Sequence, residues 1–136
     1  MKRFLALLVF CLVLFASPAF AQSNTVKGTI SAHGTGCSVV TQCVVMQIPV
    51  NAASATIQLS GTFTGTAQFE VSNDGINFYN QLAYPTPTTT AASSATAAGL
   101  WRLQVGSYTW LRVRASALAA GQIYVLLKTT QAPITY

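Results

Sequence analysis

From Thr62 to Val71 the chain alternates, with Phe63, Ala67, Phe69 and Val71 on one parity and Thr62, Thr64, Thr66, Gln68 and Glu70 on the other. A period of two over ten residues fits only a β-strand with one buried and one polar face. It excludes a strand of a parallel α/β sheet, which would be apolar on both faces. Ser72-Asn73-Asp74-Gly75 follows. Asn, Asp and Gly tolerate positive φ, so this run supplies turn chemistry. Ile76, Phe78 and Tyr79 are expected to start a return strand that continues through Leu82 to Tyr84.

The same alternation recurs elsewhere. Strands are expected at Val26–Ile30, Val44–Ile48, Ser54–Ser60, Leu100–Val105, Thr109–Ala115 and Gln122–Thr129, with Pro49 ending the second of these. Trp101, Leu103 and Val105 share an inward parity, which makes Trp101 a core residue. Ala117–Gly121 reads as a short connection. The tract from Pro85 to Gly99, PTPTTTAASSATAAG, has no large apolar residue, so it is expected to be a long surface loop. No segment has helical spacing. The fold class is therefore all-β: an antiparallel two-sheet β-sandwich of seven or eight strands, jelly-roll-like or immunoglobulin-like.

Residues 1–21 stand apart. Lys2 and Arg3 precede an apolar run from Phe4 to Phe15, Ser17-Pro18 breaks it, and Ala19-Phe20-Ala21 is a small-x-small site. This is the layout of a secretory signal peptide cleaved after Ala21, leaving one domain over 22–136 in a secreted, periplasmic or extracellular location. Export makes Cys37 and Cys43, six residues apart, a disulfide pair. Two thiols and one nearby histidine, His33, are too few for a closed zinc site.

Charge is sparse. Beyond residue 21 the chain carries Lys27, Arg102, Arg112, Arg114 and Lys128 against Glu70 and Asp74. Spread this way along the sequence, the basic excess does not resemble the clustered Lys and Arg of a nucleic-acid-binding protein. One His, one Asp and one Glu leave no convincing triad or carboxylate pair. Two acids are few for a calcium site, and no phosphate-cradling glycine motif is present. The expectation is a non-enzyme without metal or cofactor.

What remains is a binding surface. Trp110, Arg112, Arg114, Tyr124 and Lys128 share the outward parity of the last two long strands. If Ala117–Gly121 makes those strands a hairpin, Tyr124 lies opposite Arg112 or Arg114, where an arginine over a tyrosine ring forms a cation–π pair. The five residues would then form an aromatic-basic platform for a glycan, a polymer or a neighbouring subunit. The plainer reading is that these long side chains merely cover the sheet.

GTFTGTAQFEVSNDGINFYN resembles a pattern in small β-sandwich domains of tailed-phage virion proteins, tail- or fibre-associated. There a strand of the form G-x-[FW]-x-G-T-x-x-F-[EQ] runs into S-x-D-G-x-x-[WF]. GLWRLQVGSYTWLRVRASALAAGQIYVLLKTT is similar to the second half of the same domains, so the resemblance spans roughly residues 54–130. Phe78 stands where tryptophan is common, and a signal peptide departs from the pattern of a virion protein assembled in the cytoplasm. The resemblance implies a sandwich fold and no defined ligand-binding residues. Two functions are open: an exported binding or adhesion module contacting surface glycans or polymers, and a structural subunit of a virion or extracellular assembly that makes protein contacts or self-assembles. In neither is a membrane span expected beyond the signal segment.

Overall fold

The computed structural model describes residues 23–131. The signal peptide expected over residues 1–21, with cleavage after Ala21, lies outside the described residues. Ten strands run in chain order: β1 (Thr25–Ile30), β2 (Cys43–Gln47), β3 (Ala52–Ser60), β4 (Phe63–Ser72), β5 (Tyr79–Asn80), β6 (Tyr84–Pro85), β7 (Ser94–Ala95), β8 (Gly99–Gln104), β9 (Trp110–Gly121) and β10 (Ile123–Gln131). They form two antiparallel five-stranded sheets. Sheet A has the order β1-β10-β3-β8-β6; sheet B has β2-β9-β4-β5, with β7 also paired to β4. No described residue is helical, and so no helix is long and apolar enough to cross a membrane.

The alternation that defines the strands also builds the core. Ala67, Phe69 and Val71 of β4 and Leu111, Val113 and Ala115 of β9 point inward from sheet B. They meet Ile57 and Leu59 of β3, Trp101 and Leu103 of β8, and Ile123, Val125 and Leu127 of β10. Phe69 and Trp101 touch across the sandwich, with ring centroids 5.4 Å apart and planes tilted by 54°. At β1 the sheets come so close that only glycine fits: a Cβ on Gly28 would stand 2.6 Å from Val44 Cγ2.

Consecutive strands mostly alternate between sheets. β3 lies in sheet A and β4 in sheet B; β9 lies in sheet B and β10 in sheet A. At each of these two crossings the chain turns on a glycine with positive φ, Gly61 at 96° and Gly121 at 82°. The corners pack on each other, because a Cβ on Gly61 would meet the Gln122 carbonyl and one on Gly121 the Thr62 carbonyl. Any side chain at either position would be both strained and obstructed.

These crossings correct three expectations. Ala117–Gly121 is not a connection but the end of β9, paired with Phe63–Thr66 of β4 through two register shifts. At the bulge Gly65 lies against the Ala117 carbonyl with no room for a Cβ. Gly121 therefore leads an arch between sheets rather than a hairpin. The return strand after Gly75 shortens to Tyr79–Asn80, opposite Val71 and Glu70. The tract from Pro85 to Gly99 is not one free loop. Ala95 is buried in β7, and Ala83, just before the tract, bridges to Ala92 and is fully buried. Alanine methyls suffice there because backbone bonding to β4, such as Phe69 N–H to the Ser93 carbonyl at 2.9 Å, carries the attachment.

Candidate functional site

The arch separates the five outward residues expected to form one platform. Trp110, Arg112 and Arg114 lie on the outer face of sheet B, paired through β9 with Gln47, Val45 and Cys43 of β2. Tyr124 and Lys128 lie on the outer face of sheet A, where Tyr124 pairs with Thr29 and Ser60 rather than with either arginine. The two groups are on opposite sides of the sandwich, so the shared aromatic-basic platform does not form.

On sheet B the arginines are buried. Glu70 of β4 is directly across from Arg112 of β9, and Gln68, two residues back, is across from Arg114. Like-facing cross-strand positions bring one carboxylate within reach of both guanidinium groups. Arg112 Nε donates to Glu70 Oε2 at 2.6 Å, and Arg114 donates to Oε1 through Nη2 at 2.8 Å and Nε at 3.0 Å. Arg114 Nη1 also donates to the Gly34 carbonyl at 2.6 Å. The side chains of Arg112 and Arg114 are only 11 % and 13 % exposed, so neither arginine is an exposed binding group. Gln68 Oε1 is buried beside this network without a hydrogen-bond partner.

Two loops supply the cover. The first runs over residues 31–42 and is tied down by the Cys37–Cys43 disulfide, whose Cα atoms are 5.7 Å apart. Its Gly34 N–H donates to the Ala115 carbonyl at 3.1 Å, which sets the neighbouring Gly34 carbonyl over Arg114. The second is the turn after β4. Asp74 accepts from the Ile76 N–H at 2.9 Å, the Asn77 side-chain amide at 2.7 Å, the Asn77 N–H at 2.8 Å and the Ser72 hydroxyl at 2.8 Å. These donors hold its carboxyl well below the usual carboxylate range, with the Ile76 N–H the largest influence. The turn lets the chain fold back, and the Phe78 ring covers Arg112 with its centroid 3.8 Å from Cζ. The expected cation–π pair with Tyr124 is thus replaced by one with Phe78, a residue that strand parity had placed in a return strand.

The cover leaves a surface where large apolar side chains stand beside polar groups, Arg112 among them. Val45, Ile76, Phe78 and Trp110 line an open depression of about 400 Å³ beside the disulfide. Ile76 at its rim is 81 % exposed and Val45 38 %. Trp110 is only half-buried, with the turn against its indole edge: a Cβ on Gly75 would lie 3.0 Å from Trp110 Nε1.

Both acids of the described residues are engaged within the fold. Glu70 is held by two arginines and Asp74 by its own turn. Among the described residues no three His, Cys, Asp or Glu side chains come together as a metal site.

No family model matches the chain, and no curated protein matches it in sequence. Two solved structures share the fold. One is the SPBc2 prophage-derived protein YomS, with a TM-score of 0.59 and 9 % identity over 80 % of this chain and 96 % of that one. The other is the PBSX exported protein XepA, with a TM-score of 0.61 and 13 % identity over 79 % of this chain. This chain spans 38 % of XepA's length. At such identities the likeness is one of fold, a two-sheet sandwich that also occurs in prophage-derived proteins.

Proposed function

We propose that this protein is an exported, non-catalytic structural component of a phage-related virion or extracellular assembly, contacting a protein neighbour through the apolar surface at Val45, Ile76, Phe78 and Trp110. The observation that carries the reading is how the polar groups are used. The acids and two of the arginines serve to hold loops over sheet B, while large apolar side chains stay uncovered on the same side. Exposed Ile76 and Val45 beside the half-buried Phe78 and Trp110 make an apolar cluster of the kind that marks protein contacts. The sandwich shared with prophage-derived proteins, one of them an exported protein, agrees with this setting. A glycan platform lost its geometric support when its five residues separated onto opposite faces.

The test is particle composition. Particles purified after induction of the source strain should contain the chain at a fixed ratio to their major proteins. Ile76→Asp should lower that ratio while leaving the thermal midpoint unchanged. A chain found only as a free secreted monomer, absent from particles, would overturn the proposal.

A further inference from the structure

The outer face of sheet A has a different chemistry. Lys27, Arg102 and Lys128 are far apart in sequence, yet all three point outward from this one sheet. The register places Thr25, Lys128, Thr56, Arg102 and Tyr84 in a single row across all five strands. Lys27 lies on β1 in the next row, opposite Leu126. Strand spacing and rise put neighbouring cations roughly 8–10 Å apart. The chain's two acids both lie elsewhere, on sheet B and its turn. Among the described residues none of the three cations has an ion-pair or hydrogen-bond partner. Beside Arg102 the face dips into a depression of about 300 Å³ between Ser54, Thr56, Tyr84 and Gln104.

From this arrangement we infer that the outer face of sheet A is a docking surface for a linear phosphate-bearing polymer, lying across the strands along the Lys128–Arg102 row. Charge complementarity carries the assignment: three unpaired cations and no acid on one sheet face. Arg102 supplies a forked donor, and the Ser54 and Thr56 hydroxyls add donors suited to the several acceptor oxygens of one phosphate. Base stacking contributes little, because Tyr84 is the one aromatic residue in the row and Tyr124 sits two rows away. The recognised feature is therefore the repeating charge, not a nucleobase. This surface is separate from the apolar contact on sheet B and does not depend on it.

The experiment titrates the disulfide-intact chain with long-chain inorganic polyphosphate and follows affinity against salt. Neutralising three phosphates predicts a log–log slope of about −2, so raising salt from about 50 to 200 mM weakens binding roughly tenfold or more. Lys27→Ala/Arg102→Ala/Lys128→Ala should weaken binding at least about tenfold at the lower salt, with an unchanged circular dichroism spectrum. A second variant, Val39→Glu/Val40→Glu/Val50→Glu, removes the same net charge at exposed positions off the face and should keep near wild-type affinity. Equal loss in both variants would reduce the effect to net charge and overturn the inference. So would a wild-type chain that ignores polyphosphate yet binds poly-glutamate, which would make the face an acidic-protein contact. Single-stranded DNA bound far more tightly than polyphosphate at equal phosphate concentration would also overturn it, since recognition would then rest on the bases and not on the repeating charge. Absence of the chain from particles would leave all these outcomes readable, so this inference and the structural-component proposal fail separately.

Discussion

Replacing Glu70 by glutamine keeps the shape of the side chain and removes the one negative charge between Arg112 and Arg114. Both guanidinium groups then stay buried, with side-chain exposures of 11 % and 13 %, and lose their anion. Breaking a buried pair from one side costs about 3–5 kcal/mol, because the remaining charge is left without compensation. Here two cations are stranded, which favours the upper part of that range. The Phe78 ring on Arg112 and the Gly34 carbonyl on Arg114 offset part of the cost. For a domain of this size the loss corresponds to a fall in Tm of roughly 12–20 °C. Guanidinium chloride unfolding of wild type and Glu70→Gln, with the disulfide intact, measures it directly. A triple replacement, Glu70→Leu/Arg112→Leu/Arg114→Met, should recover most of the loss, since apolar groups can substitute for a buried ion cluster. If Glu70→Gln costs less than about 1 kcal/mol, the network behaves like an exposed pair and the reasoning about its burial is wrong.

Three further outcomes are expected. Asp74→Asn should destabilise the turn and lift Phe78 off Arg112, read as increased protease cleavage within residues 73–79. Because the folded Asp74 carboxyl is held below its ordinary value, its contribution is present above the unfolded value of about 3.9 and is lost as pH falls; the Tm gap between wild type and Asp74→Asn should narrow from pH 7 toward acid. Cys37→Ala/Cys43→Ala should cost about 2 kcal/mol in denaturant unfolding, the loop-closure value for so short a loop, and an unchanged midpoint would show that the cross-link does not constrain the chain. Gly28→Ala should destabilise by about 1–3 kcal/mol through its overlap with Val44, and adding Val44→Ala should restore part of the loss; additive losses would contradict the close approach of β1 and β2.

The strands were legible in the sequence because a half-buried strand writes its burial into alternate residues. Phe69, Val71, Trp101, Leu103, Ile123, Val125 and Leu127 all occupy the core faces their parity gives them. The cysteine pair was equally plain. What parity does not encode is which sheet a strand joins. Gly121-Gln122 has the composition of a hairpin turn, and only contacts with Thr62 and Phe63, nearly sixty residues earlier, make it an arch. That arch puts Tyr124 and Lys128 on the opposite side of the molecule from Trp110. The burial of Glu70 was hidden for a related reason: its parity is outward, and its cover comes from Phe78 and the disulfide loop, which no period describes. The cations at 27, 102 and 128 look diffuse in the sequence and become one face only through the pairing of β1, β10, β3 and β8. A charge census that set aside Glu70 with its two cross-strand arginines would have pointed to the remaining three.

The two outer faces are assigned different partners, protein on sheet B and polymer on sheet A, and site-specific photo-crosslinking separates them most directly. A benzophenone side chain placed at Ile76 in one chain and at Gln58 in another samples each face at an exposed position. After particle assembly and irradiation, the Ile76 chain should form a discrete protein adduct, and the Gln58 chain should not. Protein adducts from Gln58 with none from Ile76 would contradict the account, since the apolar surface around Trp110 would then be unoccupied in the assembly.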